Sequence, residues 1–223
     1  MIPLSDTKST GKFPFWIVVI IAINIFVFYL ELTSPNPDAF IAKYALIPAN
    51  IDLNNFKTLT PFITSQFLHA GFLHIISNML FLWVFGDNVE DRFGFFFFPI
   101  FYLLSGAVGG FLQYIFAPTS TIPMLGASGA IAGVLGAYLT LFPDHQVKTL
   151  VPIFGFITIV NIPASVMLIY WFITQLFHGA YSITTSLTKL GGVAYFAHIG
   201  GFITGIIVAR FFKSSSPQRL EAI

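Results

Sequence analysis

Ser128 stands in Gly-Ala-Ser-Gly (126–129) at the head of one apolar segment, and His198 lies inside another about 70 residues later. A hydroxyl and an imidazole brought into contact are the two halves of an acyl-transfer site. The imidazole takes the hydroxyl proton as the oxygen attacks a carbonyl. Both residues fall where polar groups are expensive, so each needs a partner or a water-filled cavity. A Gly/Ala/Ser run taken alone reads as packing surface, because small residues let membrane helices approach closely. The two readings are compatible if packing is what brings serine and histidine together.

The segment Thr60–Gly86 carries His69, His74 and Asn78 in otherwise apolar surroundings. On a helix His74 and Asn78 lie about 40° apart and share a face. Such a pair serves either as polar glue between helices or as part of a functional site. The stretch Ala117–Leu125 holds no charge and two prolines. It can dip toward a bilayer only where protein buries it or water lines it. It delivers Ser128 to the first turn of a helix, where free N–H groups and the positive dipole end suit a developing oxyanion. In the last apolar segment His198 and Gly205 lie within about 20° of each other, with Gly201 about 60° away. Gly129, Gly133 and Gly136 fall within about 60° on the serine helix. Glycine on both faces lets the two backbones meet, which sets Ser128 and His198 at a similar depth.

The elements that must position these groups are membrane helices. Of 223 residues, 56% are hydrophobic and only 9% charged, and mean hydropathy is +0.85. A soluble domain carries about 25% charged residues. Six apolar stretches reach spanning length: Pro14–Leu32, His69–Gly86, Phe93–Phe116, Gly126–Phe142, Leu150–Phe177 and Val193–Phe212. The first reads as a span and not a cleaved signal, since Phe28, Tyr29 and Glu31 occupy the place of a small-residue cleavage site. Gly86–Gly94 reads as a tight, solvated hairpin with Glu90 or Asp91 paired to Arg92. His145 and His178 read as ordinary interfacial residues.

Six spans put both ends on one side. Lys8, Lys12, Arg92, Lys148, Arg210, Lys213 and Arg219 outnumber Lys43, Lys57 and Lys189, which places both ends in the cytoplasm of a cell-membrane protein. The expected organisation is a cytoplasmic tail over 1–12, one membrane domain over 13–213, and a second tail over 214–223. Lack of cysteine excludes disulfides and thiolate chemistry. A net charge of +1 gives no argument for nucleic acid. No His-Glu-x-x-His occurs, so neither a metal nor another cofactor is expected.

Three motifs now agree in order and spacing: His69, His74 and Asn78-Met79; Gly126-x-Ser128-Gly129; and Ala197-His198-x-x-Gly201. Together they resemble the rhomboid intramembrane serine proteases, from Pro14 to Phe212. The resemblance implies an all-α, six-transmembrane-helix bundle with Ser128 as nucleophile and His198 as general base and acid. His74, Asn78 and the backbone N–H of Ser128 would hold the oxyanion. His69, Gly126, Gly129, Gly201 and Gly205 would support the site. The implied partners are the lipid bilayer and transmembrane protein substrates, cut in or near their membrane segments. A catalytically dead relative that binds such clients is the alternative; those typically lose the serine or the histidine.

Two features depart from the family pattern. Many members carry Trp-Arg in the first external loop, and Thr33–Leu59 has neither residue. Some members place an aromatic ring four residues after the serine, where this chain has Ala132. That small side chain is expected to leave space beside His198 and to hold the imidazole less rigidly.

Overall fold

The computed structural model of the chain describes residues 1–8, 10–153, 156–184 and 193–213. The tail 214–223 with Arg219, and the loop residue Lys189, lie outside the described residues. In chain order the elements are β1 (Ile2–Asp6), α1 (Phe15–Thr33), the short helices α2 (Pro37–Tyr44) and α3 (Pro61–Thr64), and α4 (Phe72–Phe93). There follow α5 (Phe97–Phe116), α6 (Ser128–Leu141), β2 (Gln146–Ile153), β3 (Phe156–Pro163), α7 (Ala164–Thr184) and α8 (Tyr195–Lys213). Among the described residues four helices are long and apolar enough to cross a membrane: α1, α4, α5 and α8.

Helix α6 is different. Its 14 residues rise only about 21 Å, short of a bilayer's hydrocarbon core of about 30 Å. Every residue from Gly129 to Tyr138 is buried, so the helix is enclosed by the others and has no lipid face. Glycine and alanine make it thin enough for that place. Its main neighbour is α8. A Cβ built on Gly201 would land on the Gly129 carbonyl, one on Gly205 on the Gly133 carbonyl, and one on Gly136 on the Phe202 carbonyl. The two glycine faces meet backbone to backbone.

The fifth apolar stretch is not one helix. Gln146–Ile153 and Phe156–Pro163 form two antiparallel strands, paired from Gln146 with Pro163 to Ile153 with Phe156, and α7 starts only at Ala164. The reason is in the residue types. Val147, Thr149, Val151, Ile157, Thr158, Ile159, Val160 and Ile162 are β-branched, Pro152 cannot donate a helical bond, and Pro163 marks the helix start. Apolarity without periodicity does not separate a strand from a buried helix. The segment over 1–12 is likewise more than a tail. Strand β1 adds to β2, giving the order β1-β2-β3.

That strand sets Asp6 among buried polar groups. Its carboxylate accepts from the Tyr138 hydroxyl and, at 2.7 Å, from the Asn88 side-chain amide. His145 Nδ1 lies 3.2 Å from the same carboxylate oxygen and 3.1 Å from the Tyr138 hydroxyl. His145 is therefore part of a clasp between the N-terminal strand and the bundle, not a bystander at the interface.

The charged stretch after Gly86 is also reassigned. Helix α4 continues through it to Phe93 and stops at Gly94, whose φ of 79° favours glycine. Glu90 is buried and turned away from Arg92: its two oxygens accept from the backbone N–H groups of Trp16 (2.9 Å) and Ile17 (3.1 Å). These are first-turn donors of α1 with no helical partner, and a carboxylate there also meets the positive dipole end. Asp91 pairs with Lys12, and Arg92 donates to the Phe212 carbonyl.

Glu90→Ala would strand one buried donor, Ile17, at about 1–3 kcal/mol, and one half-buried donor, Trp16. A clear drop in the thermal midpoint in detergent is expected, smaller for Glu90→Gln, which still accepts. An unchanged midpoint for Glu90→Ala would show that the cap contributes nothing.

Candidate active site

The approach to Ser128 is fixed by backbone bonds. Leu46 and Met124 exchange N–H···O bonds of 2.9 and 2.8 Å, and the Gly126 N–H donates to the Ser65 carbonyl at 2.9 Å. The uncharged loop before α6 is thereby tied to the protein by its own backbone groups. The stretch between α1 and α4 takes part through Leu46, although it lacks Trp-Arg. Gly126 turns the chain with φ 125°, and a Cβ there would lie 2.8 Å from the imidazole Nε2 of His74. Both conformation and space require glycine at this position.

Ser128 opens α6, and its Oγ lies 2.8 Å from Nε2 of His198. His198 is 8% exposed, and its helix start is held by Gln113 of α5, whose Oε1 accepts from the Phe196 N–H at 3.1 Å. Nδ1 of His198 lies 2.8 Å from Oε1 of Gln175 on α7. The Trp171 ring stands beside the imidazole, centroids 5.7 Å apart. Ser128, His198, His74 and Asn78 all line one cavity of about 940 Å³, open between the Ser120–Leu125 loop, the end of α7 and the start of α8.

His74 and Asn78 project from the first turns of α4. The Asn78 amide nitrogen lies 3.0 Å from Nε2 of His69; an amide nitrogen has two hydrogens, so one remains for the cavity. The backbone N–H of His69 donates to the buried carboxylate of Glu31, 3.2 Å away. A polar chain thus runs from α1 through His69 to Asn78. His74 Nδ1 faces the Ala70 N–H at 3.4 Å. Among the described residues no three His, Cys, Asp or Glu side chains form a group able to hold a metal ion.

In this way the structure gathers Ser128, His198, His74 and Asn78 around one space, with Gly126 in the turn and His69 behind Asn78. It sets Gly129 against α8, and Gly201 and Gly205 against α6. The composition of such a site can attack a carbonyl, relay its proton and hold an oxyanion. Gln175 and Gln113 belong to none of the sequence motifs. Each is a lone amide in an apolar helix, a signal that intramembrane polar residues normally carry. His178, read as interfacial, instead lines the cavity.

Residues 57–215 match the Rhomboid domain family. The chain belongs to the rhomboid family. The Arabidopsis thaliana RHOMBOID-like protein 6, mitochondrial, is 32% identical over 159 residues, 70% of this chain and 44% of its own length. The Saccharomyces cerevisiae Rhomboid protein 1, mitochondrial, is 27% identical over 215 residues, 92% of this chain and 57% of its own. The Bacillus subtilis Rhomboid protease GluP is 36% identical over 135 residues, 59% of this chain and 25% of its own. The chain therefore spans between a quarter and somewhat over half of these relatives. Rhomboid membership and the apolar helices make it an integral membrane protein, in a family that includes proteases.

Ala132 does not leave the imidazole without neighbours. Ala132 is fully buried in the core, and Gln175 and Trp171 already flank the imidazole. Ala132→Phe should overpack the core at about 1–3 kcal/mol, seen as a lower thermal midpoint in detergent. A folded variant with an unchanged midpoint would show that the core can make room.

Proposed function

We propose that this rhomboid protein is an intramembrane serine endopeptidase that cleaves transmembrane protein substrates in or near their membrane segments. The observation that carries the reading is the 2.8 Å approach of Ser128 Oγ to His198 Nε2 on the wall of an open cavity. Ser128 Oγ attacks the scissile carbonyl as His198 Nε2 takes its proton. The tetrahedral oxyanion is held by the Ser128 N–H, Asn78 and His74. His198 then protonates the departing amine, leaving an acyl-enzyme. Water from the cavity, deprotonated by His198, attacks the ester and releases the acid. A helical substrate hides its carbonyls in i→i−4 bonds, so segments with helix-weakening residues present their bonds more readily. No cofactor enters the scheme.

On this reading α6 and α7 complete six spans of a multi-pass domain over 13–213, with both ends in the cytoplasm and the bilayer that of the cell membrane. Support comes from the basic residues at the end opposite the cavity. Lys12, Arg92 and Lys148 gather there with β1 and the end of α8, as the positive-inside rule requires of a cytoplasmic face.

A fluorophosphonate probe should label the purified protein and leave Ser128→Ala unlabelled; equal labelling would refute the nucleophile assignment. Asn78→Ala should lower turnover of a transmembrane peptide by about 100-fold or more, the usual effect of losing one oxyanion donor. A variant that loses stability yet keeps full activity per folded molecule would make Asn78 a packing residue.

A further inference from the structure

Rhomboid resemblance carries a dyad, with nothing assigned to the second nitrogen of the histidine. We infer that Gln175 is the positioning residue of the dyad: it fixes the tautomer of His198 that leaves Nε2 free to take the serine proton. The inference rests on the Ser128–His198 reading above and adds a third member to it.

Hydrogen-bond direction selects the tautomer. A neutral imidazole carries its proton on one nitrogen, and a base facing Ser128 must carry it on Nδ1. Gln175 Oε1 lies 2.8 Å from Nδ1. An amide could in principle present its NH₂ there instead, which would place the proton on Nε2 and disable the base. The surroundings of Gln175 decide against that. Its Nε2 lies 3.2 Å from the Trp171 carbonyl oxygen and 3.1 Å from the Thr174 hydroxyl oxygen. The Thr174 hydroxyl itself donates to the same carbonyl at 2.6 Å, so its oxygen is left as an acceptor. A carbonyl only accepts. Turning the amide over would set two oxygens against each other, so the backbone of α7 holds Oε1 toward His198.

Burial makes the arrangement effective. Gln175 is 7% exposed and His198 8%, which leaves little room for water to substitute for the amide oxygen. Soluble serine hydrolases put a carboxylate in this place. A carboxylate at membrane depth carries a heavy desolvation penalty; the amide supplies an acceptor of the same reach without the charge. Trp171, one helical turn before Gln175, adds its ring beside the imidazole.

The test reads the tautomer directly. The protein is labelled with ¹⁵N-histidine in detergent, and the His198 signals are assigned by their loss in His198→Ala. The parent should show a protonated Nδ1 and an unprotonated Nε2. Gln175→Leu, which keeps an apolar side chain of similar size and has no acceptor, and Gln175→Met, whose sulfur accepts only weakly, should each show a mixture of tautomers. Both should also lower kcat on a transmembrane peptide by about 10-fold or more with KM unchanged, since general-base catalysis contributes about 10²–10⁴-fold. A parent spectrum with Nε2 protonated would overturn the inference, and this reading does not depend on Gln175→Leu or Gln175→Met folding. So would a folded Gln175→Leu or Gln175→Met with the parent's tautomer and kcat. Failure of the protease reading is separate: the parent would then neither cleave nor take a serine-directed probe, whatever its tautomer.

Discussion

The structure depends on one contact, the glycine seam between α6 and α8. In lipid there is no hydrophobic force to press helices together, so association comes from close van der Waals fit and weak bonds from Cα–H groups to carbonyls. Both require that no side chain intervene. Gly201 against the Gly129 carbonyl, Gly205 against the Gly133 carbonyl, and Gly136 against the Phe202 carbonyl meet that requirement along the seam. At its upper end the same approach leaves Ser128 and His198 at hydrogen-bond distance. A displacement of about 1 Å in such a pair can lower a rate about 100-fold. Packing and chemistry are one constraint here.

Around the seam, polar groups are placed by pairing across elements that lie far apart in the chain. Glu31 of α1 takes the His69 N–H, and His69 steadies Asn78. Glu90 of α4 closes the start of α1. Gln113 of α5 closes the start of α8. Each removes an unpaired donor where water is scarce, and each costs little because the acceptor sits on a rigid helix. These pairings help hold α4 and α8, two of the five helices that line the cavity together with its loops.

What could be read from residue order was whatever depends on local spacing. The shared face of His74 and Asn78, the glycine stripes and the placement of Ser128 at a helix start follow from helical geometry alone. The strands over 146–153 and 156–163 escaped because their apolarity matches that of a span, and only the density of β-branched residues separates the two. Glu90 escaped for another reason: its partners are backbone groups more than seventy residues away, and nothing nearby in sequence distinguishes a solvated carboxylate from a buried cap. Gln175 shares that difficulty, since its meaning comes from α8.

The distance along the chain between the two halves of the site has a consequence for biogenesis. Ser128 is synthesised 70 residues before His198, an interval of several seconds at about 5–20 residues per second. Throughout it the serine helix has no base beside it and no partner for its glycine face. The newborn chain therefore enters the bilayer, among other unassembled spans with frayed helices, as an inert protein. On the proposed reading, closing the seam with the final helix is also what arms the chain, so that folding itself acts as its safety.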